Sequence, residues 1–136
     1  MAEKIHFDLV SPEQMLLSED VTMVTLPAIE GQIGVYPQHE RLITRIIPGE
    51  IIVTTGNTER NFAVGEGLVD IAADHVSIVT DMAIAADQID EAKVEEARAR
   101  AAARLQEKIS DEEVASVNAS LARSLAQLQV KRRRRM

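Results

Sequence analysis

The chain has 136 residues, 46% of them hydrophobic but only 2% aromatic, with no cysteine and a formal net charge of −7. That length is one domain, or a small domain with an appendage. Its core must be built from Ile, Val, Leu, Met and Ala, which leaves little for stacking on bases or sugars, and the missing cysteine excludes disulfides, thiolate zinc sites and cysteine nucleophiles together.

The N-terminus, Met1-Ala2-Glu3-Lys4-Ile5-His6-Phe7-Asp8, lacks a basic region followed by an apolar one, so no secretory leader is expected. No apolar run approaches the roughly 20 residues that span a bilayer. The expected setting is intracellular, with docking on something membrane-bound left open. Charge is divided unevenly: residues 1–86 hold 4 Lys and Arg against 13 Asp and Glu, or −9, and residues 87–136 hold 11 against 9, or +2. Composition changes at the same place, from Val, Ile, Thr and Gly to an Ala-rich stretch without Gly or Pro.

In chain order, Ile5, Phe7 and Leu9 share one face of a strand against His6, Asp8 and Val10, and Ser11-Pro12 ends it. Gln14 to Leu17 forms a short second strand, and Val21 to Leu26 a third, closed by Pro27. The most constrained stretch is Glu30-Gly31-Gln32-Ile33-Gly34-Val35-Tyr36-Pro37-Gln38-His39-Glu40. Gly31 suits a turn at positive φ, Gly34 a place where a side chain would meet a neighbour, and Pro37, which cannot donate to a ladder, ends the strand. His39 then falls on a polar loop held by strands, the usual place for binding residues. Leu42 to Ile47 follows, stopped by Pro48-Gly49.

Glu50 to Thr55 and Thr58 to Val64 are joined across Gly56-Asn57, a two-residue hairpin with glycine at the first central position of a type II′ turn. Beyond Gly65-Glu66-Gly67, Leu68 to Ala72 and Val76 to Thr80 flank Ala73-Asp74-His75 as a second hairpin. Eight or nine strands without an intervening helix predict a sandwich or barrel-like antiparallel sheet, because parallel pairing would need long crossovers.

The remainder reads as two helices. Asp87 with Asp90 caps the first, and Ser110-Asp111-Glu112-Glu113 is a capping box for the second. Val114, Val117, Leu121, Leu125 and Leu128 draw one apolar stripe, facing Val94, Ala97, Ala101, Leu105 and Ile109 on the first helix. Ile109 to Ser110 is then the tight turn of a helical hairpin. The expected fold class is α+β: an antiparallel β-sandwich over residues 1–86, then an antiparallel helical hairpin over residues 87–136. A hairpin of about 50 residues is too small to be stable alone and must lean on the sandwich or a partner.

No phosphate-binding, dinucleotide, zinc-protease or EF-hand motif is present. The three histidines, His6, His39 and His75, lack ligand spacing, and Glu66 and Asp70 do not define an acid-base pair, so neither an active site nor a metal site is expected. Lys131-Arg132-Arg133-Arg134-Arg135 admits three readings: a solvated chain end, a salt-dependent phosphate contact, or docking on an acidic protein surface. The acidic remainder of the chain argues against nucleic acid.

Taken together, the stretch around Gly31, Gly34, Pro37 and His39, then Leu42-Ile43-Thr44, Pro48-Gly49-Glu50-Ile51, Gly65-Glu66-Gly67 and a charged helical hairpin, resembles the epsilon-subunit family of bacterial F-type ATP synthases over essentially the whole chain. The resemblance implies a non-catalytic, cofactor-free subunit of the rotating central stalk, peripheral to the cell membrane on its cytoplasmic side. Its implied partners are the gamma subunit, the c-subunit ring and the alpha and beta subunits.

Residue by residue, Glu30, Gln32 and His39 would face the c ring and Ser11 would lie toward gamma. Arg123, Lys131, Arg132, Arg133, Arg134 and Arg135 would reach beta if the hairpin extends to restrain hydrolysis. Three stretches depart from the family pattern: Glu40-Arg41 stands where Ala-Pro is usual, Lys93 replaces the arginine of the I/L-D-x-x-R-A signature of ATP-binding members, and the second helix carries only Arg123 as a cation before the terminal run. Lysine lacks the planar bidentate fork of arginine. The rival reading is a free-standing regulatory module that binds ATP at the junction of sandwich and hairpin, near Asp90 and Arg100.

Overall fold

The molecule was analysed as a computed structural model that describes residues 3–134, with side chains described as far as Arg133. Ten strands precede two helices. The strands are β1 (Ile5–Val10), β2 (Met15–Val21), β3 (Met23–Ala28), β4 (Gly31–Val35), β5 (Leu42–Ile46), β6 (Gly49–Thr55), β7 (Thr58–Val64), β8 (Gly67–Ile71), β9 (His75–Thr80) and β10 (Ala83–Ala85). A 3-10 turn at Ala86–Gln88 leads into α1 (Glu91–Arg104) and α2 (Asp111–Arg134).

Hydrogen-bonded strands run in the order β10-β7-β6-β3-β5-β8-β9-β1-β2, with β4 added to β3. The ladder turns its corner where β3 leaves β6, after Thr25 opposite Ile52, and meets β5 at Ala28 opposite Ile46. Two layers result, and burial of alternate residues, clearest in β1, β3 and β9, closes them on each other. Ile5, Phe7 and Leu9 of β1 are fully buried, and they pack in one cluster with Val24 and Leu26 of β3, Ile51 and Val53 of β6, and Ile71, Val76 and Ile78 of β8 and β9. Each such side chain contributes about 1.5–3 kcal/mol by leaving water.

Three expectations change within the sandwich. β1 pairs with β9 in parallel, His6 opposite His75, although no helical crossover links them. The connection is the rest of the sandwich, which is long enough to return the chain to the same direction. Pro27 lies within β3 rather than closing it: its carbonyl accepts from Ile47 N at 2.9 Å, and its missing donor falls at the corner where β3 changes partners. Gly49 belongs to the same corner, since a Cβ there would come within 3.2 Å of Pro27 Cβ. Gly34 is less confined than expected, with only ordinary contacts of 4.0 Å awaiting a side chain. Gly31, at φ +132°, does need its freedom. The Gly56-Asn57 turn forms with Gly56 at φ +60° and without positive φ at Asn57, as the type II′ reading requires.

Asp90 caps α1 through Lys93 N at 3.2 Å, and Ser110 caps α2 through Glu113 N at 3.2 Å. The hairpin turn is longer than the sequence suggests. α1 ends at Arg104, and the connection through Leu105 and Ile109 is tightened by Gln106 N to Ala103 O and Glu107 N to Arg104 O. The apolar stripe of α2 also rotates along its length. Val114, Val117 and Leu121 are partly covered, whereas Ser124, Ala126, Leu128 and Val130 are buried and Leu125 is exposed. The cause is that α2 has two neighbours, α1 on one side and β6 and β7 on another. The seam with the sandwich joins Val130 to Ala63, Ala86 and Ile89.

Gly67 is the glycine on which the sandwich depends most. A Cβ there would lie 2.2 Å from Val79 O and 2.8 Å from Thr80 Cα, backbone atoms of the paired strand that cannot step aside. Gly67→Ala is expected to lower the unfolding free energy by about 1–3 kcal/mol in urea titration, whereas Gly34→Ala stays within about 0.5 kcal/mol of the parent.

Candidate functional site

The outward face of the layer β5-β8-β9-β1-β2 is ordered into rows by strand register. One row reads Arg45, Leu68, Val79, Val10, Met15, each paired with the next across neighbouring strands. Leu68, Val79 and Met15 are 57%, 58% and 59% exposed. The next row carries Ile43, Asp70, Ser77, Asp8 and Ser18, and the third brings His75, His6 and Asp20 together. An apolar band therefore borders a polar one on a single stiff surface. Sequence analysis missed the band, although it left a signal: Leu9-Val10, Leu68-Val69 and Ile78-Val79 are adjacent apolar pairs, and adjacent residues of a strand point to opposite faces.

The polar rows are internally bonded. His6 Nδ1 lies 2.9 Å from Asp20 Oδ1, and His6 Nε2 lies 3.2 Å from Asp8 Oδ1 and 3.3 Å from Ser18 Oγ. The Asp20 hydrogen bond, with Asp8 adding to it, raises the His6 imidazole above its ordinary value. Asp74 is lowered, chiefly by the hydrogen bond from His75 Nδ1 at 3.0 Å. Among the described residues no cluster of acids and histidines is placed to hold a metal ion.

Ser11 follows Val10 at the end of the apolar row. Its side chain is buried, and its hydroxyl serves the turn, donating to Glu13 Oε2 at 3.2 Å and Gln14 O at 3.3 Å. What Ser11 offers a partner is position.

Glu30, Gln32 and His39 lie on the β3–β4 turn and the loop before β5, and no hydrogen bond or ion pair joins the three. Glu30 is anchored by Thr44 of β5, whose hydroxyl donates to both carboxylate oxygens at 3.1 Å. Gln32 is exposed on β4. His39 Nδ1 donates to Glu40 O at 2.6 Å. Gln38, just before it, is held at φ +69°, where a non-glycine residue is strained, and its N–H donates to Ala73 O at 2.8 Å. The histidine loop is thus clipped to the β8–β9 turn.

Arg123, Arg132 and Arg133 have acidic partners within the chain. Arg133 forks onto Glu50 through Nε at 2.7 Å and Nη2 at 2.6 Å, and this hydrogen bonding raises the guanidinium above its ordinary value. Arg132 Nη2 meets Glu95 Oε2 at 3.0 Å, Arg123 Nη1 meets Asp81 Oδ2 at 3.3 Å, and Lys131 Nζ lies 3.5 Å from Ala86 O. The expected acidic docking surface therefore includes the chain's own sandwich. The Arg134 side chain and Arg135 lie outside the described residues.

Asp90 and Arg100 are not brought together. The carboxylate of Asp90 is engaged as a helix cap, and ten residues of α1 separate the two by about 15 Å of helix axis. Arg100 lines a cleft of about 280 Å3 between the helices that does not include Asp90. A larger open cleft of about 950 Å3 lies between the start of β2, β10 and α2, and the Arg123–Asp81 pair borders it.

Comparison with known proteins agrees with this geometry. Residues 4–86 match the family described as ATP synthase, Delta/Epsilon chain, beta-sandwich domain, and residues 87–132 match ATP synthase, Delta/Epsilon chain, long alpha-helix domain. The ATP synthase epsilon chain of Alkalilimnicola ehrlichii is 39% identical over 132 residues, covering 96% of this chain and 94% of the relative. That of Herpetosiphon aurantiacus is 35% identical over 131 residues, covering 96% of each. In fold, the chain resembles one in the structure of Euglena gracilis mitochondrial ATP synthase, with a TM-score of 0.73 and 23% identity over 88% of this chain and 76% of that one. A second likeness is to a chain of the Tetrahymena thermophila mitochondrial ATP synthase central stalk and c-ring, with a TM-score of 0.61 and 13% identity over 95% and 97% of the two chains. With both halves of the fold matched, and with relatives aligned along nearly their full length, the chain belongs to the ATP synthase delta/epsilon chain family.

Proposed function

We propose that this chain is a non-catalytic coupling subunit of the central stalk, clamped to a gamma subunit by the outward face of β5-β8-β9-β1-β2 and meeting the c ring through Glu30, Gln32 and His39. The observation that carries it is the apolar row Leu68, Val79, Val10 and Met15, which crosses four strands in register and ends beside Ser11. A continuous exposed apolar band on a monomer marks an interaction surface. Its stiffness matters as much as its chemistry, because a body that transmits torque must not shear. Here the band is backed by fully buried Leu9, Val69 and Ile78.

The loop end suits a second, more polar partner. Glu30 and His39 are each anchored to the β5-β8-β9 side of the sandwich, by Thr44 and through Gln38 to Ala73, so a grip on them pulls on the same layer that carries the apolar band. No helix among the described residues is long and apolar enough to cross a membrane. As a stalk subunit it associates peripherally with the membrane complex through its partners, and the family resemblance supports the cytoplasmic side.

Restraint of ATP hydrolysis by the hairpin belongs to a different position from the one seen. With Arg123, Arg132 and Arg133 paired inside the chain, contact with a beta subunit through these cations requires α2 to leave the sandwich. The ATP-binding alternative draws no support from the separated Asp90 and Arg100.

Replacing both Leu68 and Val79 by Glu is expected to weaken co-purification with gamma by about 30-fold or more, the scale of a lost hot spot, with an unchanged circular dichroism spectrum. Retained binding would move the gamma site to another face. His6 supplies a pH test on the same face. Its raised value means that the imidazolium pairs with Asp20 and Asp8 add stability fully below the ordinary imidazole value, and that this contribution is lost as pH rises through the raised one. In an NMR titration, Asp20→Asn should lower the His6 midpoint.

A further inference from the structure

We infer that the hairpin is held in place on the sandwich by a two-point charge clasp, Arg133 on Glu50 and Arg123 on Asp81, added to the apolar seam at Val130, so that its release depends on ionic strength.

The two points are built differently and both are prepared by the sandwich. Glu50 follows the Pro48-Gly49 corner and is only 17% exposed. Its Oε2 accepts from Asn61 Nδ2 at 2.8 Å as well as from Arg133 Nη2 at 2.6 Å, while Oε1 takes Arg133 Nε at 2.7 Å. Bidentate guanidinium–carboxylate pairing fixes direction as well as distance.

Asp81 is prepared by a glycine. Its carboxylate folds over Gly65, where a Cβ would sit 1.9 Å from Asp81 Oδ1 and 3.3 Å from Arg123 Cγ. The turn beneath is pinned by Asp81 N to Glu66 O and Gly65 N to Met82 O, both 2.9 Å. The first glycine of Gly65-Glu66-Gly67 thus acts as a positioning residue for a clasp in the other half of the chain.

Geometry makes the two points sufficient. Arg123 and Arg133 are ten residues apart, about 15 Å along α2, so together they set both the place and the heading of the helix, where one alone would leave a pivot. Between them Val130 meets Ala63, Ala86 and Ile89, with Ile84 and Val94 partly buried against the same cluster and Ala126 and Leu128 of α2 also buried, while α1 has no fully buried residue. Arg132, on another face of α2, turns instead to Glu95 of α1 and ties the hairpin to itself. The charge division matches this arrangement, −9 on residues 1–86 against +2 on the rest.

The test uses the full chain, which has no cysteine of its own. Asn57→Cys on the β6–β7 turn and Ala119→Cys on α2, both exposed positions, carry spin labels for distance measurement. One narrow distance distribution is expected at about 50 mM salt, with a second population appearing by about 500 mM, where screening is strong. Glu50→Gln and Gly65→Ala should each raise the detached fraction about fivefold at fixed salt. Glu50→Arg combined with Arg133→Glu should return it toward the parent. The heteronuclear NMR spectrum of residues 5–80 checks that the sandwich stays folded in every variant. If the distance ignores salt and both single variants, or if Val130→Ala alone detaches the hairpin without salt dependence, the apolar seam is the fastener and the clasp is refuted.

Discussion

Interlocking of aliphatic side chains between the two layers is the constraint from which the rest of the molecule follows. Once Ile5, Phe7 and Leu9 are committed inward with Val76 and Ile78 on the neighbouring strand, their alternates have no choice but to face out. Strand register then decides which outward residues become neighbours. Val10, Val79 and Leu68 form a row because Leu9, Ile78 and Val69 form one beneath them. A slip of one residue in any of these ladders would send the row inward and bring charged residues into the core. The surface proposed for gamma is therefore as firmly specified as the interior, although its apolar row is itself left exposed.

That coupling explains which features were legible in the sequence. Period-two alternation in Ile5–Val10, the Gly56-Asn57 turn and the Ser110–Glu113 capping box are local signals, and each has the predicted form. The features that escaped depend on neighbours distant in sequence. The parallel pairing of β1 with β9 is set by where the whole sandwich returns the chain. Pro27 remains in a strand because of a change of partners that no local rule shows, and Leu125 is exposed because α2 serves two neighbours whose directions differ. The loop with Glu30, Gln32 and His39 was legible as a turn and a polar loop. Its anchorage to Thr44 and Ala73 was not, because one partner comes from the next strand and the other from the β8–β9 turn.

The basic tail shows the limit of reading charge as composition. Five adjacent cations suggest a single electrostatic object, yet a helix distributes consecutive residues about 100° apart. Arg132 and Arg133 accordingly address different bodies, Glu95 on α1 and Glu50 on the sandwich. An acidic half and a mildly basic half indicate attraction, but only the fold divides that attraction into a part that holds the hairpin together and a part that holds it down.

These two parts differ in what they can do. Apolar burial of the kind seen between the sheets is insensitive to salt and gives up little before it fails cooperatively. Charge pairs that remain partly exposed, such as Arg123–Asp81, are worth about 0–1 kcal/mol each and are exchanged readily for water or another acidic surface. A subunit gripped permanently at one end and movable at the other needs both kinds of contact in their proper places. The apolar band and the anchored loop lie on the rigid sandwich, while the weaker pairs lie where the hairpin meets it. The hairpin's own ties, Arg104 to Glu113 and Arg132 to Glu95, lie wholly within it, so breaking the clasp leaves them intact and frees the two helices as one piece.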